Sequence, residues 1–206
     1  IIMNIKKIFF LFTILIIGVF VIKNIETFRN QDNIILIGDS IFKNDTYVKK
    51  GNSVTDYLVK NHKNSLILAQ DDSKIKNIDS QINKIPDNLN NKSTYVLISV
   101  GGNDLLDYAL LTNDKNIDVV NEVFEKYKKK ILELKKKFKF NLILTNIYYP
   151  KTGIFQYYDK TIKLWNSKLE IFANNYKIKL FKIDKLFNNK KYFTNHIEPS
   201  NSGSEL

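Results

Sequence analysis

From residue 31 onward the chain alternates short apolar runs of strand length with longer stretches in which apolar residues recur every three or four positions. No other feature constrains the fold as much. An apolar run too short for a buried helix has to lie in a sheet, and the amphipathic stretches between runs must each lay one face upon it. The strands read as residues 34–37, 66–69, 95–100, 142–146 and 178–183. Ile75, Ile78, Ile82 and Ile85 mark one helix face, Val120, Phe124, Tyr127, Ile131 and Leu134 a second, and Ile162, Leu169, Phe172 and Tyr176 a third. With 44% hydrophobic residues, 7 Gly and 3 Pro, the chain is neither collagen-like nor disordered. No internal repeat or Gly/Ser linker interrupts the pattern, so residues 31–206 are expected to form one α/β domain with a parallel sheet between helices.

Residues 1–30 read differently. After Lys6 and Lys7, residues 8–22 form 15 uncharged, strongly apolar positions closed by Lys23. As a helix they would be about 22 Å long, short for a full span, but flanking lysines can snorkel and a bilayer can thin. A cleaved signal peptide would need small residues before its cleavage point. The stretch from Lys23 to Phe28 has none, so the segment reads first as an uncleaved hydrophobic anchor helix followed by a polar spacer, with a cleaved signal peptide and a secreted domain as the alternative. The lysines ahead of it favour a domain outside the cytoplasm.

Charge is a weak guide here. The chain has 32 basic and 21 acidic side chains, a net +11, which is the footprint expected of a nucleic-acid surface. All the basic residues except Arg29 are Lys, however, whereas bidentate phosphate and base recognition favours Arg. The densest clusters, residues 128–130 and 135–137, fall on the outside of a helix and read as a solvated face. No nucleic-acid partner is expected. The absence of Cys excludes disulfides, thiolate zinc sites and a thiol nucleophile. No metal or cofactor is expected, and oxygen is the candidate nucleophile.

In a doubly wound sheet the ligand site gathers at the carboxyl ends of the strands. Three polar clusters stand at such places: Gly38-Asp39-Ser40 after the first strand, Gly101-Gly102-Asn103-Asp104 after the third, and residues 195–200 near the end of the chain. Ser40, turned out by a preceding Gly beside a helix amino terminus, can offer its hydroxyl where backbone N–H groups stabilise an oxyanion. Asn103 can add a side-chain amide, with Asp39 and Gly102 lining the same corner. Any one cluster alone would be an ordinary turn.

These residues resemble the SGNH, or GDSL-type, hydrolase superfamily, whose blocks include Gly-Asp-Ser and Gly-x-Asn-Asp. The likeness is closest to a bacterial branch and covers nearly the whole domain: residues 38–42, Tyr47, Val48 and Gly51, residues 99–104, and residues 195–200 with the pattern Asn-x-Ile-Glu-Pro-Ser. It implies a flavodoxin-like three-layer α/β/α sandwich with a five-stranded parallel sheet, and ester hydrolysis. Ser40 would be the nucleophile and, through its N–H, an oxyanion donor; Asn103 would be a second donor. The resembling proteins continue into a final helix from about Gly203.

Two positions depart from the superfamily pattern. Where a Gly N–H usually completes the oxyanion hole, this chain has Asp72. Where Asp-x-x-His usually supplies the base and its orienting acid, it has Asn195 and Glu198. A carboxylate with an ordinary pKa near 4.3 is a weak base towards a serine hydroxyl. His196 is the alternative base: an extended segment would put positions 196 and 198 on one side. A solvent-facing loop His is the plainer reading of it, and His62 reads as a helix-end residue. Among the aromatics, Tyr148, Tyr149, Phe155, Tyr157, Tyr158 and Trp165 either line an acyl or sugar pocket or belong to the core. Asp184 reads as a helix cap or, alternatively, as an orienting carboxylate.

Two functions stay open on the sequence. One is a membrane-anchored serine esterase acting on small-molecule, lipid or carbohydrate esters; the other is a non-catalytic binding or scaffold module that keeps the fold without a competent base.

Overall fold

The computed structural model describes residues 28, 29, 31–109, 116–151 and 153–206. The expected anchor, residues 8–22, lies outside the described residues, and among those described no helix is long and apolar enough to cross a membrane. Residues Gln31–Leu206 form a unit of their own.

Five strands build its sheet: β1 (Asn33–Gly38), β2 (Ser65–Ile67), β3 (Thr94–Ser99), β4 (Asn141–Thr145) and β5 (Lys179–Phe181). All pair in parallel in the order β2-β1-β3-β4-β5. The five strands expected from the apolar runs are therefore present, the second and last shorter than read. The interior strand β1 is buried along nearly its whole length, as its unbroken Ile-Ile-Leu-Ile run requires.

One face of the sheet, carrying Ile35, Ile37, Val96, Ile98 and Leu144, packs on α2 (Ile78–Ile82), α4 (Asn116–Lys137) and α5 (Asp159–Asn175). Trp165 is fully enclosed there, its ring edge-on to Phe124 and Tyr127 at 5.2 and 5.3 Å. Burial of each such large apolar side chain stabilises by about 1.5–3 kcal/mol. Trp165 thus belongs to the core. The opposite face, with Ile34 and Leu36, is covered by α1 (Val54–Asn61) and by Phe42 and Ala69. The layers are those of a three-layer α/β/α sandwich.

Two helices are less visible in the sequence. Helix α1 is polar overall and held by a capping box, Ser53 Oγ accepting from the Asp56 N–H at 3.1 Å while Asp56 accepts from the Ser53 N–H at 3.0 Å. His62 ends it, as expected, with Nε2 2.7 Å from the Asp32 carbonyl oxygen. Helix α3 (Gly102–Ala109) begins inside the Gly-Gly-Asn-Asp cluster itself. The stretch around Ile75 and Ile82 is a 3-10 turn running into the five-residue α2 rather than one long helix. On α4 lysines form solvent-facing pairs, Lys126–Glu122 and Lys128–Glu125 among them, which water screens.

After β5 the chain makes a small antiparallel hairpin, β6 (Phe193–Thr194) and β7 (Glu198–Pro199), and ends in the single turn α6 (Asn201–Ser204). Asp184 is not a cap of a long helix. It accepts from Asn146 Nδ2 at 2.7 Å and its own N–H donates to Asn146 Oδ1 at 3.1 Å, joining the end of β4 to the short 3-10 turn after β5.

Candidate active site

The strand order reverses between β1 and β3, and the turns that leave these two strands carry Ser40 and Asn103. Gly38 sits opposite Ser99 with φ 138°, and a Cβ there would lie 1.9 Å from the Ser99 carbonyl oxygen, so only glycine lets the two strand ends approach. Gly101, at φ 112°, is equally constrained, because a Cβ would meet the Trp165 ring at 2.4 Å. Between them these glycines set the start of the Ser40 turn and of α3.

Ser40 is 7% exposed, and its N–H has no hydrogen-bond partner among the described residues. Asp39 beside it turns inward: its Oδ1 accepts from the Ile41 N–H at 3.2 Å and from Ser99 Oγ at 3.3 Å. Burial pushes the Asp39 carboxyl up to about 8, opposed by the Ile41 N–H, with the nearby Glu198 adding to the rise. Burial thus favours the neutral form of Asp39.

Asn103 lies in the first turn of α3 and donates one amide hydrogen to the Ser73 carbonyl at 3.1 Å. An amide carries two such hydrogens, so one remains to face a ligand. Asp72, where the superfamily pattern has Gly, adopts φ 57°, the left-handed conformation that glycine takes most easily. Its side chain is exposed, and its N–H is already engaged by Asp71 Oδ1 at 2.9 Å.

The hairpin brings Glu198 to Ser40. Glu198 is 8% exposed, and burial pushes its carboxyl up to about 7; the nearby Ser40 hydroxyl pulls the other way, and Asp71 and Asp72 add to the rise. Its Oε2 is enclosed without a hydrogen-bond partner among the described residues. Burial therefore moves this carboxyl away from the ordinary carboxylate range towards neutral pH.

His196 and Asn195 are placed otherwise than the extended reading supposed. Both have positive φ, 72° and 44°, because they form the tight turn between β6 and β7. Alternation of sides fails in such a turn. Both are exposed, and the His196 ring packs on Gly153, where an added Cβ would lie 2.8 Å from its Cγ.

Asp39, Ser40, Gly102, Asn103 and Glu198 line one cavity of about 90 Å³. Apart from Thr161 the rest of its wall is apolar or aromatic, including Leu106, Tyr108, Val119, Phe155, Tyr158 and Ile162. Tyr148 contributes too, held by its hydroxyl's bond to the Ile197 carbonyl and stacked on Phe187 at 4.5 Å. Of the aromatics weighed in the sequence, Tyr148, Phe155 and Tyr158 line the cavity, while Tyr157 is 87% exposed. Among the residues lining the cavity there is no Lys, Arg or His.

Solved structures share this arrangement of strands and helices. A member of the lipolytic G-D-S-L family from Veillonella parvula superposes with TM-score 0.64 at 17% identity, covering 84% of this chain and 91% of its own. The fold is that of the GDSL-type lipolytic proteins. A phospholipase A1 from Streptomyces albidoflavus superposes on the chain with TM-score 0.60 at 14% identity, covering 84% and 94%. An acetylxylan esterase from Geobacillus stearothermophilus does so with TM-score 0.61 at 16% identity, covering 84% and 89%. No protein-family model and no curated protein matches the chain in sequence. On this fold the motif resemblance and the three-dimensional likeness agree.

Two residues that organise the site were not singled out as functional from the sequence. Gln81 fastens Gly38 by its backbone, and Asn44 fastens the loop after Ser40 to the Glu198 hairpin. No local signal marked them: Gln81 follows Asp79 and Ser80, and Asn44 lies between Lys43 and Asp45, both ordinary polar stretches.

Proposed function

We propose that the chain is a serine esterase in which Ser40 is the nucleophile and Glu198 its general base. The observation that carries this reading is the meeting of the two side chains in one apolar cavity, with the Glu198 carboxyl raised to about 7, where a base is most effective at neutral pH. Ser40 Oγ attacks the ester carbonyl carbon as Glu198 takes its proton. The oxyanion is held by the Ser40 N–H and the free amide hydrogen of Asn103. Collapse breaks the ester C–O bond, the leaving alkoxide recovers the proton from Glu198, and an acyl-Ser40 remains. Water, deprotonated by Glu198, then releases the acid and restores Ser40.

The apolar cavity suits an acyl group, and the substrate is an ester of a small molecule, lipid or carbohydrate. Fold neighbours named as a phospholipase A1 and an acetylxylan esterase support the range of that class. The apolar segment 8–22 with its flanking lysines supports attachment to a membrane and a domain outside the cytoplasm. The decisive experiment is reaction with a fluorophosphonate together with turnover of short-chain nitrophenyl esters. Stoichiometric labelling and turnover, both lost in Ser40→Ala, are expected; a folded protein that is neither labelled nor active overturns the reading.

That negative result would leave a non-catalytic binding module. The observation favouring it is that the Asp72 N–H and one Asn103 amide hydrogen already have partners inside the protein.

A further inference from the structure

Asn44 is completely buried, in the loop that follows Ser40. Its Nδ2 donates to the Pro199 carbonyl at 2.9 Å and to Ser204 Oγ at 2.7 Å, and its Oδ1 accepts from the Val54 N–H at 3.0 Å. One amide therefore joins three elements: the hairpin strand β7, the terminal turn α6 and the first residue of α1. Pro199 is the residue directly after Glu198, and having no N–H it can be gripped from this side only through its carbonyl. A second tie runs beside it, the Lys49 N–H donating to Asn201 Oδ1 at 3.2 Å.

In the superfamily pattern the base is oriented through its own side chain by an acid three positions earlier. Here that position is Asn195, exposed in the hairpin turn, and the Glu198 Oε2 atom has no partner among the described residues. The orientation of Glu198 has to come from its backbone. We propose that Asn44 is the positioning residue of the site, fixing the base-bearing strand against the nucleophile turn in place of a side-chain orienting acid. This rests on the esterase reading for its catalytic meaning, though the clamp itself does not.

The test is the full-length protein with Asn44→Ala, read in two ways. Titration of the Glu198 carboxyl, followed by carbon-13 NMR of labelled glutamate, should show its pKa falling by about one unit or more as the loosened strand admits water. Asn44 is uncharged, so such a shift reports strand position rather than a lost charge; the acidic groups bearing on Glu198, namely Asp39, Asp71 and Asp72, are untouched. Turnover should fall about 10- to 100-fold with KM little changed, after normalising to fluorophosphonate-reactive Ser40. A merely structural loss would lower the reactive fraction and leave the titration alone. Should Asn44→Ala fail to fold, Ser204→Ala removes one of the two acceptors and is expected to shift the titration in the same direction by less. An unchanged Glu198 titration in the folded variant overturns the proposal. A shifted titration in a protein without esterase activity would uphold the clamp and overturn the esterase reading instead.

Discussion

Gln81 holds Gly38 by both of its backbone groups, its Oε1 accepting from the Gly38 N–H at 2.8 Å and its Nε2 donating to the Gly38 carbonyl at 2.9 Å. The same Nε2 reaches Ser73 Oγ at 2.9 Å. Ser73 in turn accepts from Asn103 through its carbonyl. One buried side chain thus ties the strand end ahead of Ser40 to the loop that holds Asn103. Gln81→Met keeps the volume but orphans the Gly38 N–H, at about 1–3 kcal/mol, while the Gly38 carbonyl keeps its bond from the Gln70 N–H at 2.9 Å. Thermal unfolding should drop by about 3–10 °C for a domain of this size. A Tm within a degree or two of the parent would mean that water or a relaxed turn takes over the bonds.

The oxyanion corner gives a second expectation. Asn103→Ala removes the one side-chain donor and should lower kcat by about 100-fold or more, with labelling of Ser40 slowed in parallel. Equal rates in steady-state assays of parent and variant would make Asn103 a scaffold for Ser73 alone.

Asp71 sets up a subtler effect. It accepts from the Tyr47 hydroxyl at 2.7 Å and from the Asp72 N–H, and its charge helps to raise the Glu198 pKa. Asp71→Asn keeps an acceptor for the Asp72 N–H and removes the charge. The acid limb of the activity profile should therefore move to lower pH, making the variant faster than the parent below about pH 6. An unmoved limb in kcat/KM would show that Glu198 does not govern it.

How far the sequence announces all this depends on the scale of the feature. The apolar runs mark the strands because β1 is buried on both faces and β3 is buried on one and half-buried on the other, and the glycine-bearing turns mark Ser40 and Asn103 because close backbone approach leaves no room for a Cβ. The hairpin around His196 was illegible for a physical reason. Asn195 and His196 adopt positive φ without being glycine, so alternation along an extended strand was the natural but mistaken expectation. The pKa of Glu198 was illegible too, since it arises from burial beneath residues far away in the chain. Asn44 and Gln81 act through contacts spanning 155 and 43 positions, which no local pattern encodes.

The two buried carboxyls also shape stability. In the folded chain Asp39 and Glu198 keep their protons up to about pH 8 and 7, whereas unfolded they release them near their ordinary values of 3.8 and 4.5. Between those limits the folded state binds more protons than the unfolded one, so stability falls as pH rises. Denaturant unfolding should show a loss on the order of a few kcal/mol from pH 5 to pH 8. Asp39→Asn keeps an oxygen for the Ile41 N–H and Ser99 while removing one titration, and should flatten that slope. A parent whose stability is level across this range would contradict the burial of both groups.

The identity of the base is decided by pairing mutants with pH. With Glu198 as base, kcat/KM should rise through about pH 7, because the carboxyl must lose its proton to accept one from Ser40. An imidazole would give a similar limb, so the profile alone does not discriminate. Glu198→Gln keeps the shape and the contact with Ser40 but cannot take up the proton, and should reduce turnover about as far as Ser40→Ala does. His196→Ala should leave both the rate and the limb within about twofold, since His196 is exposed at the hairpin turn and packs on Gly153 rather than lining the cavity. The reverse pattern, with His196→Ala inactive and Glu198→Gln mild, would require the hairpin to rearrange when substrate binds and would make His196 the base. Crystals of the phosphonylated enzyme would then show the imidazole, not the carboxylate, against Ser40 Oγ.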